Sequence, residues 1–402
     1  MNLTFISLSL LSILSNSPYL LGPNSFSSNN KYHILQSYFS YSTHHFCYLT
    51  NSTNSLTISQ SAFSFFLQSP IKIEQTYVTH AHIRFDKIAI FDTSFMCKDS
   101  TFQDCKTISG QGGAISCLSS MILRNCLFER CQSETGGAIS SQSDIDFFST
   151  TFSDCLAFLS GGCVDVHSSK KIVVSFCTFS KSIARNAGAL SSTGFGRTMF
   201  RYNNISSCGS FSINGAFQLR YHQVEMQHLI FEQCFSQGGT SGIELFHNGG
   251  FTLTSLFFHF MSGSQKSLVN AGMILTIIEP SKESIISHCS FTRRSLISGL
   301  SIYFLPKDDN FSILHIIKCC FALPRTAELA EKVIIRNDTE SESLFESTCD
   351  AFYHIVLPRR IGYIQPIIET KGHLARNMFA ISNFSLVSDS LIYLLLTGFV
   401  IG

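Results

Sequence analysis

The sequence predicts an all-β parallel solenoid, and three observations carry that class: a recurring phrase, a period in the twenties, and alternating apolar residues inside each unit. The phrase is phenylalanine, two variable residues and cysteine, followed about ten residues later by two glycines and two apolar residues. Its clearest copies are Phe102 to Cys105 with Gly112 and Gly113, Phe128 to Cys131 with Gly136 and Gly137, and Phe152 to Cys155 with Gly161 and Gly162. Units this short cannot bury their apolar sides alone and must stack on one another.

The register extends beyond those copies. Taking the second glycine of each unit gives Gly113, Gly137, Gly162, Gly188, Gly215, Gly242, Gly272 and Gly299, in steps of 24, 25, 26, 27, 27, 30 and 27. Upstream, the aromatic position reads Phe102, Phe128, Phe152, Phe179, Ile205, Phe231, Phe257 and Phe291, with Phe321 opening a ninth unit. The wide interval between Phe257 and Gly272 marks an insertion. The residue after each register glycine is apolar, from Ala114 through Ala138, Cys163, Ala189, Ala216, Ile243 and Met273 to Leu300, and is predicted to face inward.

Within a unit the period is two, which selects strands over helix pairs. Cys126 and Phe128 share one face, whereas Leu127 points the other way and Glu129 with Arg130 falls there or in a turn. The spacing recurs at Cys177 and Phe179, Cys289 and Phe291, and Cys319 and Phe321. Glycines then serve the corners, through positive φ or close backbone approach. Leu123, Cys126, Phe128 and Cys131 can be laid on a leucine-rich frame, but neighbouring units do not repeat Leu123 and that frame has no place for Gly-Gly-Ala-Ile.

Gly-Gly-Ala-Ile alternating with Phe-x-x-Asn is the repeat of the chlamydial-type polymorphic outer-membrane proteins, and residues from about 100 to 325 resemble a eukaryotic form with cysteine in the asparagine position. The resemblance implies a right-handed parallel β-helix of the pectin-lyase-like type, here of about 8–9 regular coils with irregular caps, and a role as surface adhesin or antigen. The bacterial members end in a membrane β-barrel, for which the residues after 325 are too few.

Composition is consistent with a surface or secreted protein. Lys and Arg number 28 against 27 Asp and Glu, so overall charge makes no case for nucleic acid or an anionic membrane surface. Thirty-eight phenylalanines and no tryptophan fit a stacked phenylalanine column inside the coils.

The chain divides into 1–22, read as a secretory signal around Leu3 to Leu14; 23–100, an N-terminal cap with irregular coils; 101–325, the repeats; 326–390, degenerate C-terminal coils; and 391–402, an apolar tail. The alternative for the first segment is a strand capping the solenoid. The tail is too short to span a bilayer as a helix and reads as a clipped anchor, a lipid-anchor signal or a final strand. Asn51, Asn204, Asn310, Asn337 and Asn383 begin Asn-x-Ser/Thr glycosylation triplets.

Fifteen cysteines would suggest disulfides in a secreted chain. However, Cys105, Cys131, Cys155, Cys208 and Cys234 hold one position in successive units, with Ser182 interrupting, which reads as a ladder of small buried thiols. No metal or cofactor is expected, since there is no Cys-x-x-Cys and His44-His45, His80-x-His82 and Cys319-Cys320 lack second pairs.

A polysaccharide lyase or hydrolase would need converging carboxylates. Asp144 and Asp146 share a face without a carboxylate one coil away, Asp308-Asp309 reads as a turn, and Asp165 is expected on the exposed outer face. The preferred reading is therefore a non-enzymatic surface protein binding a host-cell or extracellular glycan or protein, with no catalytic residues; a polysaccharide-active enzyme and a structural spacer are the alternatives.

Overall fold

The computed structural model describes residues 55–74, 94–108, 110–212, 214–263, 274–281, 284–293, 301–305 and 314–321, with short strands at 3–50 and 344–345. The chain divides into two compact units, Met1–Ile361 and Gly362–Gly402, and everything described belongs to the first. That unit is an all-β parallel solenoid of about eight turns, with no helix among the described residues.

One coil shows how the sequence makes the turn. Ile139–Ser141, Ile145–Phe148, Thr151–Ser153 and Leu156–Ser160 are four short strands in succession. Each pairs in parallel with the strand about one repeat later: Ile139 with Val164, Ile145 with Ile172, Phe152 with Phe179, and Leu156 with Ile183. A single left-handed residue closes each of three corners: Ser149 at φ 51°, Asp154 at 54° and Gly161 at 62°. Two corners thus do without glycine. Asp104, Arg130, Asp154, Lys181, Ser207 and Gln233 are left-handed in one column, and Asn125, Ser149, Phe176, Tyr202 and His228 in another.

The glycine pair divides its work. Gly136 is the left-handed residue, at φ 62°. Gly137, for which positive φ was an option, instead gives way to the next coil, because a Cβ there would run into the carbonyl oxygen of Gly162.

Phenylalanines stack through the interior. Ring centroids from Phe63 through Phe102, Phe128 and Phe152 to Phe179 are 4.8–5.0 Å apart and nearly parallel. The stack resumes from Phe231 through Phe258 and Phe291 to Phe321 at 4.9–5.1 Å. Ile205 interrupts it, and Phe217 from another strand fills the gap, lying edge-on to Phe179 at 5.8 Å and to Phe231 at 5.4 Å.

Two register expectations are corrected. Phe258, rather than Phe257, pairs with Phe231 and Phe291, since two adjacent phenylalanines satisfy the spacing and only pairing separates them. Likewise Gly242 bonds in the Ala216 column, leaving Ser241 opposite Gly215, and Ile243 aligns with Phe217 and Leu275. The apolar column after the glycines accordingly continues through Gly242, Ile274 and buried Ser301, not through Ile243. A lone glycine without its partner carries no phase. Gly272 and Gly299 lie outside the described residues. The insertion is present: Phe258 and Leu275 are 17 positions apart, against 11 for Phe291 and Ile302.

The ladder also reaches further upstream than the phrase. Leu56, Phe63 and Ile71 pair with Phe95, Phe102 and Ile115, and Leu3–Ser7 pairs with Lys31–Leu35. Downstream, Leu344–Phe345 pairs with Cys320–Phe321.

Candidate functional site

The cysteines were the first candidates, and their geometry is structural. In the column Cys105, Cys131, Cys155, Ser182, Cys208 and Cys234, each side chain follows a left-handed residue and donates to the carbonyl two residues back, at 3.0–3.7 Å. A second column, Ser100, Cys126, Thr150, Cys177, Cys289 and Cys319, does the same at 2.8–3.4 Å. Cysteine, serine and threonine interchange because any small donor closes that turn. Asn203 in the second column instead bridges to the preceding coil, its side-chain oxygen accepting from the Cys177 N–H at 2.7 Å and its amide donating to the Val174 carbonyl at 2.9 Å. All cysteines of both columns are buried free thiols, and burial pushes Cys117, Cys177 and Cys234 up to about 12. Cys320 is disulfide-bonded.

Chemistry on the outside begins with the strand that follows the glycines. Its outward column runs Ser140, Asp165, Ser191, Gln218, Glu244 and Thr276. Asp165, expected on an exposed face, is 0% exposed: its Oδ2 lies 2.8 Å from His167 Nε2 and its Oδ1 has no hydrogen-bond partner. This bond raises the pKa of His167. Glu244 accepts from Gln218 Nε2 at 3.0 Å, with Arg220 at 3.9 Å, and burial raises its carboxyl. Asp165 and Glu244 are three coils apart, roughly 14 Å at the strand spacing. Carboxyl pairs that hydrolyse glycosides stand about 5–9.5 Å apart, so these two do not form one site.

The other acidic candidates are occupied. Asp146 holds Arg124 through two bonds of 2.9 and 2.7 Å, and Asp144 accepts the backbone N–H groups of Lys170 and Lys171 at 2.7 and 2.8 Å. Asp308 and Asp309 lie outside the described residues. Among the described residues no group of three or more His, Cys, Asp or Glu is arranged to hold a metal. No helix there is long and apolar enough to cross a membrane. Of the five glycosylation triplets only Asn204 is described, half-buried in the strand Asn204–Ser206; Asn51, Asn310, Asn337 and Asn383 lie outside.

The most accessible chemistry sits one corner further on, where the twelve-residue strands Val164–Ser175 and Leu190–Arg201 bend around the solenoid. A Cβ on Gly194 would meet the carbonyl of Ser169, and one on Gly196 that of Lys170, so this loop lies directly on the preceding one. Phe195, between these glycines, is driven outward and is 86% exposed. Its ring centroid is 5.4 Å from Tyr221, whose ring stacks on His247 at 5.5 Å and 5°. The Arg220 guanidinium lies over Phe246 at 5.4 Å, and His247 Nδ1 is 3.0 Å from Glu279. Tyr221, His247 and Glu279 project from left-handed backbone, which makes this a column of corner side chains.

Cations gather at one end of that aromatic row. Lys171 pairs in register with Arg197, and Lys170 precedes it. Arg197 and Arg201 share Glu225 at 2.6 and 2.8 Å and hold its carboxyl below the usual range. The exposed Lys170 and Lys171 have no ion-pair partner among the described residues. Beneath the corner, Ser192 Oγ and His222 Nε2 are 2.8 Å apart. Both side chains are buried, which gives a nucleophile-like pair no access to substrate.

A second aromatic row, Phe176, Tyr202 and His228, stacks at 5.1 and 4.9 Å along another corner. Its rings are half-buried, with their faces spent on each other.

Sequence reasoning did not find the Phe195 corner. Its signal was Gly194-Phe195-Gly196 interrupting an otherwise alternating run. No family model, curated protein or solved structure matches this chain.

Proposed function

We propose that this protein is a non-enzymatic surface or secreted binding protein, an adhesin or surface antigen, which engages its ligand at the corner around Phe195. The single observation that carries the reading is a large aromatic ring at 86% exposure, held between two glycines that fit against the preceding loop. Leaving such a ring in water is unfavourable, and extended exposed aromatic groups mark interaction sites. The resemblance to polymorphic outer-membrane proteins and the Asn-x-Ser/Thr triplets support the surface assignment.

The test is adhesion of the purified chain to host-type cells and to arrayed glycans, with Phe195→Ala and Tyr221→Ala as paired variants. Binding that falls at least tenfold with an unchanged melting temperature supports the site. Unchanged binding by both variants overturns it. The Asp165–His167 pair favours one rival, a polysaccharide-active enzyme, because a half-exposed histidine held by a buried carboxylate is a proton-transfer arrangement. Depolymerisation of a polysaccharide that Asp165→Asn abolishes would establish that enzyme instead.

A further inference from the structure

We infer that the Phe195 corner takes an anionic oligosaccharide, with a sugar face on the Phe195 ring and acid groups on Lys170, Lys171 and Arg197. The inference rests on the corner being the binding site and adds the chemical class of its ligand.

Charge comes first. The chain carries a net charge of only +1, yet this corner sets Lys170, Lys171 and Arg197 together, and the acidic groups near them are already committed. Glu225 is divided between two arginines, and Asp144 is turned to the backbone N–H groups of the two lysines. The lysine ammonium groups therefore retain their donors for an incoming anion. Arg197 remains 60% exposed despite its bond to Glu225, so its outer N–H groups are open as well.

Spacing comes next. Lys171 and Arg197 are register partners one coil apart, and Phe195 and Tyr221 repeat the aromatic group over the next step, 5.4 Å between ring centres. The Tyr221 ring is stacked on His247, so the open aromatic face is that of Phe195, and a ligand that matches this corner carries a flat apolar face beside closely spaced acid groups, as an acidic sugar chain does. An acidic peptide fits less well. Extended peptides gain affinity by adding a strand to an open sheet edge, but the strands flanking this corner are already paired on both sides by neighbouring coils. Only side chains are on offer. The row is also preorganised, since its backbone is locked into the parallel ladder and little ordering is required on binding.

The experiment uses the full chain and four probes: chondroitin sulfate, polygalacturonate, neutral dextran and polyglutamate, with cell adhesion measured in parallel. Support consists of binding to either acidic polysaccharide that weakens steeply with salt. It should fall at least tenfold in Lys170→Gln/Lys171→Gln and in Phe195→Ala, with melting temperatures unchanged. Equal binding to dextran removes the acid-group requirement and overturns the inference while leaving the corner as the site. Polyglutamate binding as tightly as the polysaccharides, insensitive to Phe195→Ala, reduces the corner to a general cation patch and overturns it too. If no polysaccharide binds while Phe195→Ala still abolishes cell adhesion, the ligand belongs to another class. If Phe195→Ala leaves cell adhesion intact, the site itself has been misplaced.

Discussion

Gly136 and Gly137 stand side by side and need to be glycine for different reasons. The first adopts positive φ, and the second leaves room for the carbonyl of Gly162. Gly137→Ala should therefore destabilise by about 2–4 kcal/mol, because the obstacle is backbone of a neighbouring coil and cannot swing aside. Lys181 presents the opposite case, an exposed non-glycine residue at φ 52°. Lys181→Gly relieves that backbone and should stabilise by up to about 1 kcal/mol. Thermal melts of the two variants check both signs.

His222 supplies a pH dependence at the same scale. Burial lowers its pKa from 6.5 to about 4. Between those values the unfolded chain takes up a proton that the folded chain refuses, so stability falls as pH drops from about 6.5 and levels off below about 4. The loss approaches about 3 kcal/mol. His167 works in the other direction: its pKa is raised by Asp165, so its contribution is present below the unfolded value and disappears as pH rises through the folded one. Its side chain is 45% exposed, which makes that contribution small. Urea denaturation from pH 7 to pH 4 should show a falling midpoint that His222→Gln flattens; an equally steep fall in that variant would shift the cause elsewhere.

Among elements, the interrupted phenylalanine stack is the most instructive. Phe217 enters edge-on because Ile205 leaves room where a ring would otherwise be. Ile205→Phe alone should crowd that space and destabilise by about 1–3 kcal/mol. Adding Phe217→Leu should recover much of the loss, and a double-mutant cycle by chemical denaturation measures the coupling. Additive effects would mean the two side chains do not share the space.

The cysteine columns give a second prediction at this scale. Among the described residues only the Cys320 disulfide is open to reductant, so the strand spectrum and the melting of the coils around Cys105, Cys131 and Cys155 should be unchanged by it, and these three should react with alkylating agents only on unfolding, because a buried thiol is out of a reagent's reach. Mass mapping after alkylation of the denatured, unreduced chain gives the answer; disulfides at these three positions would refute the ladder.

For the whole solenoid, each coil touches only its neighbours, so stability is approximately a sum over coils and interfaces. Leu127 and Thr151 occupy equivalent positions one coil apart. Deleting 127–150 joins Cys126 to Thr151, removes one complete coil and should leave a folded solenoid with a modestly lower melting temperature. Deleting only half of that segment should lower the melting temperature far more, because the coils on the two sides of the cut then meet out of register.

Period and alternation were legible from the sequence because stacking needs the same residue type at the same place in every coil. They determined the all-β parallel solenoid, the Phe102 to Phe179 column, the inward thiols and the Gly112 to Gly162 corners. Strand pairing was needed to choose Phe258 over Phe257 and to place Gly242 in the alanine column, since a shift of one residue changes little in composition but reverses which side chains are buried. The tertiary structure alone buried Asp165 and assembled the Phe195 corner. Outward positions have no repeating constraint, and residues 26 or so apart in sequence become neighbours only when the coils stack. For the same reason a net charge of +1 concealed the cations at Lys170, Lys171 and Arg197: it sums over the chain, whereas a ligand meets only the charges that the winding brings to one corner.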